Sequence, residues 1–290
     1  MRILNFGSLN IDKVYGVARF VEAGETVSAR SFSQNVGGKG LNQSVALARA
    51  GAAVCHAGCI GADGEFLAAY LEQSGVDITH LRRVDTPTGH AIIQVDEAGQ
   101  NCILIHGGAN QCVTEEQIAA VLAAFGAGDW LLLQNEISGI DTLIQKAHQK
   151  GMTVVLNPSP ITKSLLKAPL ELVDWFLLNE TEGAALTGET DVNAMAAGLT
   201  ARFPGAQFVL TLGAAGARYI GNGTEVTVPA QRVTAVDTTA AGDTFTGYFL
   251  QSITAGETVE TALHRATRAA GIAVGRPGAA DSIPTKDEVE

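Results

Sequence analysis

Short apolar runs and longer stretches of helical period alternate along the chain. Arg2–Ser8, Val54–Ile60, Trp130–Gln134, Thr153–Leu156, Trp175–Leu178 and Phe208–Leu212 have the length and composition of strands. Between them, Lys39–Ala50 (ended by Gly51), Glu65–Ser74, Gly139–Gln149, Thr181–Leu186 and Val192–Arg202 carry the spacing of helices. Repeated strand–helix alternation predicts an α/β fold, a doubly wound, mostly parallel sheet with helices on both faces. In such sheets ligands sit outside the carboxyl ends of the strands, so the loops that follow strands are where chemistry is expected.

Two stretches break the alternation. Val14–Gln34 and Gly89–His106 look extended and have no helix after them, and the second reads as a hairpin around Glu97-Ala98-Gly99-Gln100. A small sheet beside the α/β core accounts for both, with segments at about residues 11–36 and 88–108 serving as a lid or a dimer surface; an ordinary edge hairpin fits the pattern equally well. With no linker, repeat or low-complexity tract, residues 1–290 are read as one domain carrying a β appendage.

Composition narrows the function classes. Hydrophobic residues make up 46% of the 290, enough for a buried core, which excludes disorder. The net charge of −11 argues against nucleic acid as a partner, which would need a basic face, but leaves room for a small anion held by local groups. No stretch approaches the roughly 20 consecutive apolar residues of a membrane span. The start, MRILNFGSLNID, lacks the apolar core of a signal peptide and is read as mature protein. Cys55, Cys59, Cys102 and Cys112 fit free thiols better than a metal or disulfide framework, so a cytoplasmic location is expected.

Three motifs carry candidate chemistry. Asp237-Thr238-Thr239-Ala240-Ala241-Gly242-Asp243-Thr244-Phe245 lies between a strand-like run, Val233–Val236, and a helical pattern, Thr246–Ile253. Small residues there admit a ligand to the backbone, and N–H groups at a helix start attract an anion. Asp243 beside such a site has the placement of a proton acceptor in phosphoryl transfer; the plainer reading is a carboxylate complementing the helix dipole. The second motif, Asn35-Val36-Gly37-Gly38-Lys39-Gly40-Leu41-Asn42-Gln43, is neither a Walker loop nor a dinucleotide fingerprint. Its Lys39 and Asn42 suit hydroxyls or an anion, or the run is a glycine-rich turn with a solvated lysine. The third, Gly7-Ser8-Leu9-Asn10-Ile11-Asp12, puts Asn10 and Asp12 on one face of an extended chain, where the pair suits vicinal hydroxyls or forms part of a turn.

Taken together, GSLNID, NVGGKGLNQ, NETE at Asn179–Glu182, TLGAAG at Thr211–Gly216 and DTTAAGDTF resemble, in order and spacing, the ribokinase-like carbohydrate kinases, from about Arg2 to Pro284. TGHAIIQVDEAGQNCILIHGGAN is similar to the ribose-phosphorylating members in particular. The resemblance implies a doubly wound α/β domain with a β lid and transfer of the γ-phosphoryl of ATP to a primary sugar hydroxyl, D-ribose giving ribose 5-phosphate. Another sugar or a nucleoside as acceptor, or a non-catalytic sugar or nucleotide sensor, are the alternatives; the intact Asp243 argues against a sensor.

By motif match the resemblance implies that Asn10, Asp12, Gly38, Lys39, Asn42 and Glu136 hold the sugar, with Asp243 as base and Ala241 and Gly242 as anion hole. It implies that Asn179, Thr211, Gly213, Gly216, Gly242 and Thr267 line the nucleotide, with Thr267 standing where members carry Asn or His. Glu182 would orient magnesium indirectly. Asp237, Thr239, Ala273, Arg276, Gly278 and Ser282 match a potassium site built mostly of carbonyls, a donor set that suits a large, weakly hydrated cation. A homodimer through the lids is expected, because exposed strand edges tend to be covered or paired.

Overall fold

A computed structural model describes residues 1–290. Its strands are β1 (Ile3–Phe6), β2 (Asn10–Gly16), β3 (Ser31–Gly37), β4 (Val54–Ile60), β5 (Asp77–Arg83), β6 (Gly89–Val95), β7 (Asn101–His106), β8 (Trp130–Gln134), β9 (Thr153–Asn157), β10 (Trp175–Asn179), β11 (Gln207–Thr211), β12 (Ala217–Gly221) and β13 (Thr224–Val228). Its helices are α1 (Lys39–Arg49), α2 (Glu65–Gln73), α3 (Glu115–Leu122), α4 (Ile140–Gln149), α5 (Glu180–Thr187), α6 (Val192–Arg202), α7 (Ala241–Thr254), α8 (Val259–Val274) and α9 (Lys286–Val289).

Nine strands form one sheet in the order β13-β12-β11-β10-β9-β8-β1-β4-β5, parallel except where β12 pairs antiparallel with β11 and β13. The inner strands read as continuous apolar runs because both faces are covered. Alternate residues of one strand enter two separate cores. Leu132, Val155, Leu177 and Val209 face α1, α2, α7 and α8, while Leu131, Leu133, Leu156, Phe176 and Leu210 face α3 to α6. Each such side chain, once fully buried, contributes about 1.5–3 kcal/mol. The strand order turns at β1. The chain places β4 and β5 on one side of it, then returns to place β8 to β11 on the other. Residues just past the carboxyl ends of β1, β8, β9, β10 and β11 are thereby drawn to one rim.

The second sheet has the order β3-β2-β6-β7, with β2 and β6 parallel and the β6–β7 pair antiparallel. The hairpin read at Gly89–His106 is present as β6 and β7. Val14–Gln34 is not continuously extended: β2 ends at Gly16 and β3 starts at Ser31, with a loop between them.

Two further readings are corrected. Val233–Val236 forms no strand. The sheet already ends at β13, and this segment lies against α8, with the Val236 N–H donating to the Val274 carbonyl at 2.9 Å. The helix expected over Thr246–Ile253 begins five residues earlier, at Ala241, following Ala240 in the left-handed region at φ 60°. No helix is long and apolar enough to cross a membrane.

Candidate active site

The loop after β1 and the start of α1 are packed backbone to backbone. Gly38 has φ 95°, and a Cβ at Gly40 would lie 2.3 Å from the Ser8 nitrogen, so only glycine lets the two segments meet. Asn10 and Asp12 stand on β2 beside this junction. Gly37 opposite leaves the space Asp12 uses, since a Cβ there would lie 2.2 Å from Asp12 Oδ2. Asn10 Oδ1 accepts from Asn110 Nδ2 at 2.8 Å, which fixes its amide. Glu136, just past β8, accepts from the Lys39 backbone N–H at 3.2 Å and from the Ser8 hydroxyl.

Charge in this corner is unevenly balanced. Burial, then the nearby Glu136, pushes the Asp12 carboxyl up to about 7. Burial also raises Glu136, against Lys39 and the hydrogen bond from Ser8. Lys39 is held above the ordinary lysine value chiefly by Asp243, with Glu136 and Glu182 adding to it and burial opposing. The pocket thus holds one cation, Lys39, among carboxylates of which Glu136 already has donors and Asp12 has none, and a polyhydroxylated ligand would complement that polarity.

Asp243 lies in the first turn of α7, 7% exposed, accepting from Asn42 Nδ2 at 3.0 Å and Gln43 Nε2 at 2.8 Å. The Ala241 N–H turns to the Thr238 carbonyl at 3.3 Å, while those of Gly242 and Asp243 have no partner within the chain. No atom lies within 4 Å of where a Gly242 Cβ would be. Two free donors at a helix start, open to a cavity, form an anion site.

Two cavities meet there. One, of about 750 Å³, is lined by Asn10, Asp12, Gly38, Lys39, Asn42, Glu136 and Asp243, roofed by Ile93, Ile103 and Ile105 of the small sheet, and reaches Asn179 and Glu182. The other, of about 680 Å³, runs between the β11 loop and α8, with Gly213, Gly216 and Thr267 in its wall. Thr211, Thr238, Gly242 and Phe245 border both. The Thr267 Oγ1 is buried without a partner.

Glu182 and Asn179 form a capping box at the start of α5: the Glu182 N–H donates to Asn179 Oδ1 at 3.0 Å, and Glu182 Oε2 accepts from the Asn179 N–H at 2.9 Å. No cluster of three His, Cys, Asp or Glu side chains is arranged to hold a metal. A single carboxylate with Asn157 and Asn179 nearby still fits magnesium, which keeps its waters and takes one or two carboxylates together with phosphate oxygens.

Asp237 bridges two segments, accepting from the Thr239 N–H at 2.9 Å and the Gly278 N–H at 3.1 Å. Burial pushes this carboxyl up, but those hydrogen bonds outweigh it and hold it below its ordinary value. Ala273 lies in the last turn of α8, and its carbonyl accepts from the Arg276 N–H at 3.0 Å. The Arg276 side chain pairs with Glu288, and Ser282 Oγ donates to the Ala279 carbonyl at 2.8 Å.

Gln43, Asn110 and Asn157 border the site and escaped the reading of the sequence. Asn42-Gln43-Ser44 is a run of three polar residues in a helix buried along that length, and that mismatch was the available signal for Gln43.

The sequence profile described as pfkB family carbohydrate kinase matches residues 2–286. A ribokinase of Haemophilus influenzae is 38% identical over 97% of this chain and 95% of its own length. The crystal structure of a Cryptococcus neoformans ribokinase in complex with ADP superposes with a TM-score of 0.87 at 34% identity, covering 99% of this chain and 98% of that one. An Arabidopsis thaliana ribokinase complexed with ribose and ATP gives a TM-score of 0.86 at 29% identity over 99% and 97%.

Proposed function

The chain belongs to the pfkB family of carbohydrate kinases and is an ATP-dependent carbohydrate kinase, and we propose that its acceptor is D-ribose, phosphorylated at the primary hydroxyl. The observation that carries this reading is the meeting of the two cavities at Gly242, beside the buried carboxylate of Asp243. One cavity has the polarity of a sugar site, and the other, of about 680 Å³, has room for a nucleotide.

In this reading Asn10, Asp12, Gly38, Lys39, Asn42 and Glu136 orient the sugar, with Asp12 and Glu136 accepting from its hydroxyls. Asn179, Thr211, Gly213, Gly216 and Thr267 flank the nucleotide. Asp243 takes the proton of the primary hydroxyl as that oxygen bonds to the γ-phosphorus and the bond from phosphorus to the bridging oxygen of ADP breaks. The free N–H groups of Gly242 and Asp243 face the negative charge on the transferred group, whereas Ala241, expected beside Gly242 in that role, turns its N–H to the Thr238 carbonyl at 3.3 Å. Glu182 would orient magnesium indirectly, and the ion would supply neutralisation of phosphate charge. The whole chain acts as one domain, and the small sheet, at about residues 11–36 and 88–108, is the lid that excludes water. Four unpaired cysteines and the use of ATP support a cytoplasmic location.

ADP release measured across ribose, deoxyribose, other pentoses, hexoses and nucleosides tests the acceptor. Ribose is expected to have the highest kcat/KM. A nucleoside or hexose ahead of it would move the chain to another acceptor class, and no turnover with any of them would favour a sensor.

Potassium belongs to the same proposal. Asp237 with the carbonyls around Thr239, Ala273, Arg276, Gly278 and Ser282 offers one carboxylate and several neutral oxygens, a set that favours a large cation over magnesium. Replacing a bulky organic cation by potassium at equal ionic strength is expected to raise the rate several-fold, and Asp237→Ala to abolish the response. Indifference of the wild-type rate to potassium would remove the site.

Dimerisation through the lids completes it. The edge strand β7 carries Ile103, Leu104 and Ile105, each more than half exposed, a row that favours pairing or cover. Light scattering at micromolar concentration should return about twice the 30.0 kDa chain mass; a monomer at every concentration would refute it.

A further inference from the structure

Behind Asp243 runs a chain of buried amides. Gln43 donates from Nε2 to Asp243 Oδ1 at 2.8 Å and lies 3.3 Å from Asn157 Oδ1. Gln43 Oε1 accepts from Gln134 Nε2 at 2.6 Å, and the same Nε2 donates to Asn5 Oδ1 at 3.0 Å. Asn5 Nδ2 donates to the Gly40 carbonyl at 2.7 Å and to Ser44 Oγ at 2.8 Å, and Ser44 Oγ lies 2.8 Å from His56 Nδ1. Asn5, Gln43, Ser44, His56 and Gln134 are all 0% exposed.

The direction of this chain is fixed at its far end. The Gly40 carbonyl can only accept, so Asn5 must present Nδ2 to it and Oδ1 to Gln134. Gln134 then has to turn its Nε2 toward Asn5, and its second hydrogen meets Gln43 Oε1. That leaves Gln43 one orientation, with its NH2 group on Asp243. The other end agrees. Ser44 Oγ, accepting from Asn5, keeps its own hydrogen free for His56 Nδ1 when the imidazole is neutral. Burial pushes His56 down to about 4.

Resting on the reading of Asp243 as the base, we infer that Gln43 is a positioning residue for phosphoryl transfer, held by Gln134 and Asn5 so that it fixes the Asp243 carboxylate from behind. Each carboxylate oxygen accepts one amide N–H, from Gln43 on Oδ1 and from Asn42 on Oδ2. The remaining lone pairs are left for the hydroxyl in the cavity. Donors to the ionised form also favour that form. The charged groups that act on Asp243 are Lys39 on α1 and Glu136 past β8, and Glu182 on α5 acts in turn on Lys39. None of them changes in the variants below.

Gln43→Met keeps the volume and removes the donor. With ribose and ATP it is expected to lower kcat about 10- to 100-fold, the scale of a misplaced catalytic group. The ribose KM should stay within about twofold, since an interaction expressed in the transition state is lost rather than binding. Gln134→Met, which frees Gln43 to turn, is expected to lower kcat by less, again with the ribose KM held, and it decides the question if Gln43→Met does not fold. A folded variant with wild-type kcat, or one whose ribose KM rises by as much as its kcat falls, overturns the inference. Asp243→Asn separates the two levels. If it turns over normally, the base assignment itself fails. If it is inactive while Gln43→Met behaves as wild type, only the positioning role fails.

Discussion

Asp243→Asn is expected to lower kcat by about 10²–10⁴, the range for loss of a general base, while the fold and ATP affinity are kept. The asparagine is isosteric: its oxygen still accepts from Gln43, and Asn42, whose Oδ1 has no partner, can turn that oxygen toward the new NH2 group. The partially positive start of α7 and the free N–H groups of Gly242 and Asp243 are backbone features that the substitution leaves in place. What is removed is the ability to take a proton as the hydroxyl attacks. Single-turnover measurement of ADP formation, with nucleotide affinity by calorimetry, separates the step from binding. Turnover close to wild type in a folded Asp243→Asn protein would take Asp243 out of the mechanism.

Asp12→Ala is expected to weaken ribose binding by about 10²–10⁴-fold, with ATP binding nearly unchanged. Two charge-assisted hydrogen bonds, each about 1.5–3 kcal/mol, are at stake. Calorimetric titration of ribose into the variant measures it, and unchanged affinity would leave Asp12 a turn residue. A companion effect follows from its ionisation. Burial pushes the carboxyl from its ordinary 3.8 up to about 7, so the folded state holds this proton more tightly than the unfolded one. Its contribution to stability is therefore fully present below 3.8 and lost as pH rises through about 7. Asp12→Asn, which carries no such charge, should melt higher than wild type at pH 8 in the absence of sugar, with the gap closing toward pH 5. A gap that does not depend on pH would mean that Asp12 is not strained by burial. Sugar binding, by supplying hydroxyl donors to the carboxylate, should lower its pKa and release a proton near neutrality.

The parallel strands were legible because burial on both faces writes them as unbroken apolar runs. β4, β8, β10 and β11 fall within a residue of where the pattern put them. Val233–Val236 has the same local character and forms no strand, since it runs against α8, where the Val236 N–H donates to the Val274 carbonyl, and not beside a strand of the sheet. The start of α7 was misjudged because Ala240, Ala241 and Gly242 carry no apolar period; the turn at Ala240 and the packing of α7 against α1 and α8 set the boundary. The hairpin β12–β13 and the helices α3 and α8 also went unread.

The candidate site divides along the same line. Asp243, Lys39, Asn42, Asn10 and Asp12 sit in glycine-rich or small-residue runs that suit a ligand but each admit a plainer reading, so the amino-acid sequence by itself determined the reaction class through the resemblance that these runs carry jointly. It could not determine what Gln43, Gln134, Asn5 and Asn110 do. A buried amide has no function until its partner is known, and these partners lie as far as 200 residues away along the chain. Only the tertiary structure, by bringing β1, β8, α1 and α7 to one rim of the sheet, decided that Gln43 faces Asp243 and that two cavities meet at Gly242. The reason is physical: hydrogen bonds are directional and reach about 3 Å, so which of them form is fixed by where the packed elements come to rest.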